Sequence, residues 1–228
     1  MKYQGEIRPA EFLRRPNRFL AVCRLDGGEV TVHVKNTGRC RELLTPGAAV
    51  LLGRSANPAR KTAYDLVSVW KGNRLINMDS NAPNAIAAEW IQSGGLGFVP
   101  TLLRPEAVCG DSRFDFYLEH DGRPAYAEVK GVTLEEAGVV RFPDAPTERG
   151  VKHLNGLAAL ARQGIEAYVI FIVQMQDVRY LEPNTATHPA FAEALRAAAE
   201  AGIHILALDC TVSETEVTAR SAVPVHII

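Results

Sequence analysis

No two of the four cysteines, Cys23, Cys40, Cys109 and Cys210, stand as Cys-x-x-Cys, so neither a zinc knuckle nor a disulfide framework is indicated. Free cysteines suit a reducing compartment. No run of about 18 apolar residues exists to span a membrane. The opening Met1-Lys2-Tyr3-Gln4-Gly5-Glu6 lacks the apolar core of a signal segment. The expectation is a cytoplasmic protein with no membrane contact. Neither a Gly-x-Gly-x-x-Gly cofactor loop nor a phosphate-binding P-loop occurs. No helix-turn-helix pattern supports sequence-specific reading of a major groove. Internal repeats and low-complexity segments are also missing.

What is present is ordinary globular composition. The 228 residues, 47% hydrophobic and 22% charged, suffice for one large domain or two small ones. The net charge of −1 hides an asymmetry: residues 1–80 carry 14 Lys and Arg against 7 Asp and Glu, and residues 81–228 carry 11 against 19. A basic N-terminal module would attract a polyanion, and an acidic C-terminal one would concentrate carboxylates.

In the basic part, residues 18–25 and 29–34 read as strands joined across Asp26-Gly27-Gly28. Ala49 to Leu52 and Thr62 to Trp70 add further strands between Pro46-Gly47 and Asn57-Pro58 turns. About five short strands over this length predict a small β-barrel of oligonucleotide-binding (OB) type. Its candidates for phosphate contact are Arg14, Arg15, Arg18, Arg39, Arg41, Arg60 and Lys61.

The acidic part opens with a helix after Asn81-Ala82-Pro83, with Ile86, Trp90 and Ile91 on its apolar side, Glu89 beside them, and Gly94-Gly95 as the stop. Ser112–Leu118 and Tyr126–Val132 then read as strands around Asp121-Gly122, a dipeptide suited to type I′ hairpin turns. Such a turn opposes residues whose numbers sum to 243, which places Asp115 directly across from Glu128 with Lys130 on the same face. Phe114, Phe116, Ala127 and Val129 would form the opposite, core face. Opposed like charges destabilise a sheet, and a divalent cation with hard oxygen ligands is the natural compensation. A helix over Thr147–Arg162 carries Arg149, Lys152 and His153, and Ala167–Val173 is a strand buried on both faces that ends in Gln174. A helix over Pro189–Ala201 and a strand over Ile203–Leu208 complete an α-β-β-α-β-α-β order, a mixed sheet flanked by helices.

Phosphodiester hydrolysis needs a metal at the scissile phosphate and an activated water. Asp115, Glu128, Lys130 and Glu89 fit that requirement in type, with Mg²⁺ or Mn²⁺ on Asp115, Glu128 and Glu89. Gln174, Lys152, His153 and Arg113 are accessory candidates, and Arg149 a nucleic-acid contact beside a helix N-terminus that favours anions.

The chain resembles the sugar fermentation stimulation protein (SfsA) family along nearly its whole length. The residues that carry the resemblance include Arg18-Phe19-Leu20-Ala21, Asn36-Thr37-Gly38-Arg39, Arg60-Lys61-Thr62, Pro83-Asn84 with Glu89, Asp115-Phe116, Glu128-Val129-Lys130, Phe142-Pro143-Asp144, and Arg149-Gly150 with Lys152-His153-Leu154. The resemblance implies an OB-like domain over residues 1–80 and a domain of PD-(D/E)XK nuclease type over residues 81–228. It also implies DNA binding linked to regulation of sugar metabolism genes. Three readings stay open at this stage: a DNA-binding protein with a working cation-dependent site, a non-enzymatic DNA-binding regulator, and a nuclease acting on RNA or single strands. The missing cofactor loops count against an enzyme of sugar metabolism. The oligomeric state stays open.

Overall fold

The computed structural model describes residues 1–36 and 38–227, so Thr37 of the Asn36–Arg39 motif lies outside the described residues. The first six strands, β1 (Ile7–Asn17), β2 (Leu20–Leu25), β3 (Gly28–His33), β4 (Ala49–Arg54), β5 (Tyr64–Lys71) and β6 (Arg74–Asn77), form one sheet in the order β3-β2-β1-β4-β5-β6. A parallel bridge between His33 and Asp65 joins β3 to β5 and closes five of them into a barrel, as expected of an OB fold. The seam is reinforced by a 3.1 Å hydrogen bond between His33 Nδ1 and Asp65 Oδ1. Asp26 and Gly27, at φ of 51° and 82°, make the tight turn between β2 and β3.

β1 is an addition to the expected set. Arginines, Glu11 and two prolines mask it in the sequence, and only Phe12 along it is buried. Its outer face instead carries ion pairs: Arg14 with Glu29 at 2.8 Å and Glu11 with Arg24 at 2.7 Å.

The second half opens with α1 (Ala82–Gln92), with Pro83 in its first turn. β7 (Leu102–Cys109), β8 (Ser112–His120), β9 (Arg123–Val132), β12 (Glu166–Val173), β14 (His204–Val212) and β15 (Val217–Ala222) form a mixed sheet in the order β15-β14-β12-β9-β8-β7, with β9, β12 and β14 parallel. Between its strands lie α2 (Glu148–Arg162), capped by the Thr147 hydroxyl accepting from Gly150 N at 3.1 Å, and α3 (Pro189–Glu200). A three-stranded sheet of β10 (Glu135–Glu136), β11 (Val139–Phe142) and β13 (Tyr180–Pro183) sits beside them. The exposed edge strand β7 was not anticipated. It tolerates Pro105 and a positive φ of 56° at Glu106, features that read as loop in sequence and are typical of sheet edges.

α1 packs on one face of the mixed sheet through Ile86 and Ile91, against Ala127, Val129 and Ile170. The other face holds Val169 and Phe171 under Leu154 and Leu157 of α2 and Phe191 and Leu195 of α3. β12, buried along nearly its whole length, is therefore the central strand its apolar run predicts. The core is also continuous with the barrel, since Phe12, Leu52 and Ile76 belong to the same cluster as Phe171 and Leu195. Polar clasps cross the seam: Asn77 N donates to Gln174 O at 2.9 Å, and buried Glu135 accepts from Lys71 at 2.7 Å and Arg74 at 2.9 Å.

Candidate functional site

The Asp121-Gly122 turn, with φ of 49° and 73°, sets the register expected from the sequence, from His120 opposite Arg123 to Phe116 opposite Ala127. At Asp115 the backbone ladder stops and the side chain takes over. Its Oδ2 accepts from the backbone N–H of Val129 at 2.8 Å, and its Oδ1 accepts from Asn84 Nδ2 of α1 at 2.9 Å. This break reverses the faces of β8. Phe116 packs on the α1 side with Ala127 and Val129, whereas Phe114 turns to the α2 side against His153. The single core face expected for Phe114 and Phe116 is therefore corrected: both faces of the hairpin are core, and Asp115 sits at the crossover.

Glu128 is buried, with a side chain 4% exposed. Its Oε1 accepts from Lys130 Nζ at 2.5 Å and from His153 Nδ1. Arg149 Nε donates to His153 Nε2 at 3.4 Å, which leaves Nδ1 as the proton-bearing nitrogen facing Glu128. Among the described residues, none gives the buried Glu128 Oε2 a hydrogen bond. The two carboxyls are pushed in opposite directions. Burial, then the neighbouring charge of Glu128, raises Asp115 above the usual carboxylate range. For Glu128, burial alone would do the same, but the His153 hydrogen bond and the Lys130 ammonium outweigh it and hold the group low.

Family membership is decided by the sequence. Residues 13–78 match the family model described as the SfsA N-terminal OB domain, and residues 81–216 match the sugar fermentation stimulation protein RE domain. The chain belongs to the sugar fermentation stimulation protein family. It is 53% identical over 228 residues to a sugar fermentation stimulation protein homolog of Desulfitobacterium hafniense (strain Y51), covering 100% of this chain and 99% of that one. A Clostridium beijerinckii homolog is 50% identical over 225 residues, covering 99% of each. Among solved structures, Pyrococcus furiosus SfsA in complex with Ca²⁺ matches with a TM-score of 0.88 at 29% identity, over 100% of both chains.

Within this family member, the structure brings Asp115, Glu128, Lys130 and His153 together and leaves several other expected residues outside. Glu89, expected as a third ligand, is 58% exposed and bonds the Met1 amino group at 2.7 Å. It lies five residues after Asn84, which is roughly 140° around the helix, so only one of the two can face Asp115. Among the described residues, no three His, Cys, Asp or Glu side chains are grouped to hold a metal ion. Arg113 points outward to Glu106 at 2.9 Å, and Lys152 is exposed while its neighbour His153 turns inward. Gln174 is buried in the seam, where its amide nitrogen donates to Asn77 Oδ1 at 2.8 Å and Asp79 O at 3.0 Å. It covers Gly131 so closely that a Cβ there would lie 2.7 Å from Gln174 Oε1.

Of the expected phosphate contacts, Arg60 is committed to Asp65 at 2.7 Å and Lys61 is exposed nearby. Arg14 is likewise paired with Glu29. Arg18, Arg39 and Arg41 do converge, with Arg15, on one groove of about 440 Å³. The residue that composition and charge pattern missed is Asn84. Its signal was the Pro83-Asn84 island of the family resemblance, obscured because a neutral amide draws less notice than the glutamate five positions on.

Proposed function

We propose that this chain binds DNA and that Asp115, Glu128 and Lys130 form a divalent-cation site for phosphodiester cleavage. The observation that carries the reading is the orphaned Glu128 Oε2, buried beside Asp115 in a setting where an unpaired carboxylate oxygen is costly. The donor set is hard oxygen, which suits Mg²⁺ or Mn²⁺. The Ca²⁺ complex of the Pyrococcus furiosus relative supports the same class of ion. Such a cation supplies Lewis-acid polarisation of the phosphate and a water activated near neutral pH.

The chain's own residues do the rest. Asn84 and the Val129 amide aim both oxygens of Asp115, and His153 with Arg149 behind it fixes the Glu128 carboxylate. The Lys130 ammonium, held against Glu128, is positioned to stabilise negative charge developing on phosphate oxygens. The basic groove of the barrel supplies affinity for the polyanion, and through it a link to control of sugar metabolism genes.

A second reading, a regulator that binds DNA without cutting it, draws on the double clamp of Lys130 and His153 on Glu128, which balances the carboxylate without a cation. Incubation of labelled single- and double-stranded DNA with Mg²⁺ or Mn²⁺ separates the two. We expect fragments with either cation and none in EDTA. Equal, intact substrate in every lane would leave the regulator reading standing.

A further inference from the structure

We infer that the groove beside Phe19 holds a single-stranded polynucleotide, with an unstacked base on the Phe19 ring and phosphates on Arg18, Arg39 and Arg41. This inference rests on the reading that the chain binds nucleic acid, and it names the form of the partner.

Several barrel arginines are neutralised: Arg8 by Asp26, Arg14 by Glu29, Arg24 by Glu11 and Arg60 by Asp65, all at 2.7–2.8 Å. Among the described residues, Arg18, Arg39 and Arg41 form no ion pair, yet they line one groove. Like charges left together without ion pairs around one groove favour an anion in it.

The groove is also held rigidly. Arg15 donates to the backbone carbonyls of Arg18 and Asn36 at 2.7 Å, Gly38 at 2.8 Å and Arg39 at 2.9 Å. It thereby ties the β1–β2 turn to the segment after β3, so the two walls carrying Arg18 and Arg39 are preorganised. Asn17 Oδ1 accepts from the amides of Phe19 at 2.8 Å and Leu20 at 3.0 Å, which fixes the turn that presents Phe19.

Phe19 is 45% exposed at the tip of this turn, with the Arg18 guanidinium 4.8 Å from its centroid. In a duplex the base faces are already stacked and only phosphates are offered. An exposed ring among arginines without ion pairs suits a strand whose bases can splay out. Gly38, on the lining of the groove, also abuts the second half of the chain. At Gly38 a Cβ would lie 2.3 Å from Asp144 Oδ2 in the second half, and Asn36 and Asp144 line a small cavity with Gly131, the residue after Lys130.

Fluorescence anisotropy in EDTA tests this, using labelled oligo-dT and oligo-rU of about 12 nucleotides and a duplex of the same length. The strands are expected to bind at least about tenfold tighter than the duplex. Phe19→Leu should weaken strand binding about tenfold and leave duplex binding within about twofold. Arg39→Gln should weaken both and flatten the salt dependence by about one phosphate. A preference between dT and rU tells which backbone is favoured, and either preference fits a stacked base with bound phosphates. Wild-type strand affinity in Phe19→Leu, or a duplex bound as tightly as a strand, overturns the inference. Because no cation is present, Phe19-dependent binding without later cleavage would refute only the catalytic reading. Absence of all binding would refute both.

Discussion

Lys130→Met is expected to lower cation-dependent DNA cleavage by at least about 100-fold, the usual cost of removing one positioned charge-stabilising group. Methionine keeps the length and packing of the side chain and removes only the ammonium. In the wild type that ammonium lies 2.5 Å from Glu128 Oε1, on a side chain only 16% exposed. Two effects combine in the variant: negative charge developing on the phosphate loses its partner, and Glu128 keeps only His153 as a counterweight to burial. Glu128 is then expected to move up from its depressed position. The pH profile reads this out. Asp115, already raised by burial and by Glu128, must be ionised to act, so wild-type cleavage falls as pH drops through this raised value. In Lys130→Met that acidic limb should shift to higher pH. A variant with wild-type turnover would remove Lys130 from the chemistry.

The second large effect concerns stability. Glu135→Gln is expected to cost about 2–3 kcal/mol at neutral pH, below the full figure for a broken buried ion pair because Lys71 and Arg74 keep part of their hydration. Burial alone would raise the Glu135 carboxyl, but Lys71, the Gly138 amide and Arg74 override it and bring it down to about 2. Its folded value therefore lies below the ordinary 4.5 of the unfolded chain. Folding is favoured by the charged form above the unfolded value, and that contribution disappears as pH falls from there towards the folded value. Urea unfolding of wild type and Glu135→Gln should thus differ at pH 7 and converge as the medium becomes acid. Since the residue joins barrel strands to β10 across one continuous core, both proteins should unfold in a single transition. A difference independent of pH would show that packing, not charge, holds this seam.

How much of this was legible in the chain varies by element. Asp121-Gly122 set the β8–β9 register because its backbone conformation is a local property of two residues. β12 declared itself through an unbroken apolar run, and α2 through its spacing and its Thr147 cap. β1 and β7 did not. An edge or half-exposed strand tolerates proline, arginine and positive φ, and such residues read as loop. The site divides in the same way. Asp115, Glu128 and Lys130 are close in sequence or joined by one turn, so pairing rules locate them. Whether Glu89 or Asn84 completes the cluster depends on the rotation of α1 about its axis, which its apolar stripe fixes only loosely. Arg60 looked free although Asp65 is only five residues on, because strand and helix periodicity does not report a pairing across the turn that leads into β5. The clasp of Lys71 and Arg74 on Glu135 spans more than 60 residues and left no local trace.

The central claim is that Asp115 and Glu128 together hold a cation, and calorimetric titration of Mn²⁺ into the full chain tests it most directly. Saturable binding to the wild type is expected, with at least about tenfold weaker binding in Asp115→Asn, a substitution that keeps the size and shape of the side chain and removes the charge. Identical titrations for the two proteins, or no heat of binding in either, would contradict it.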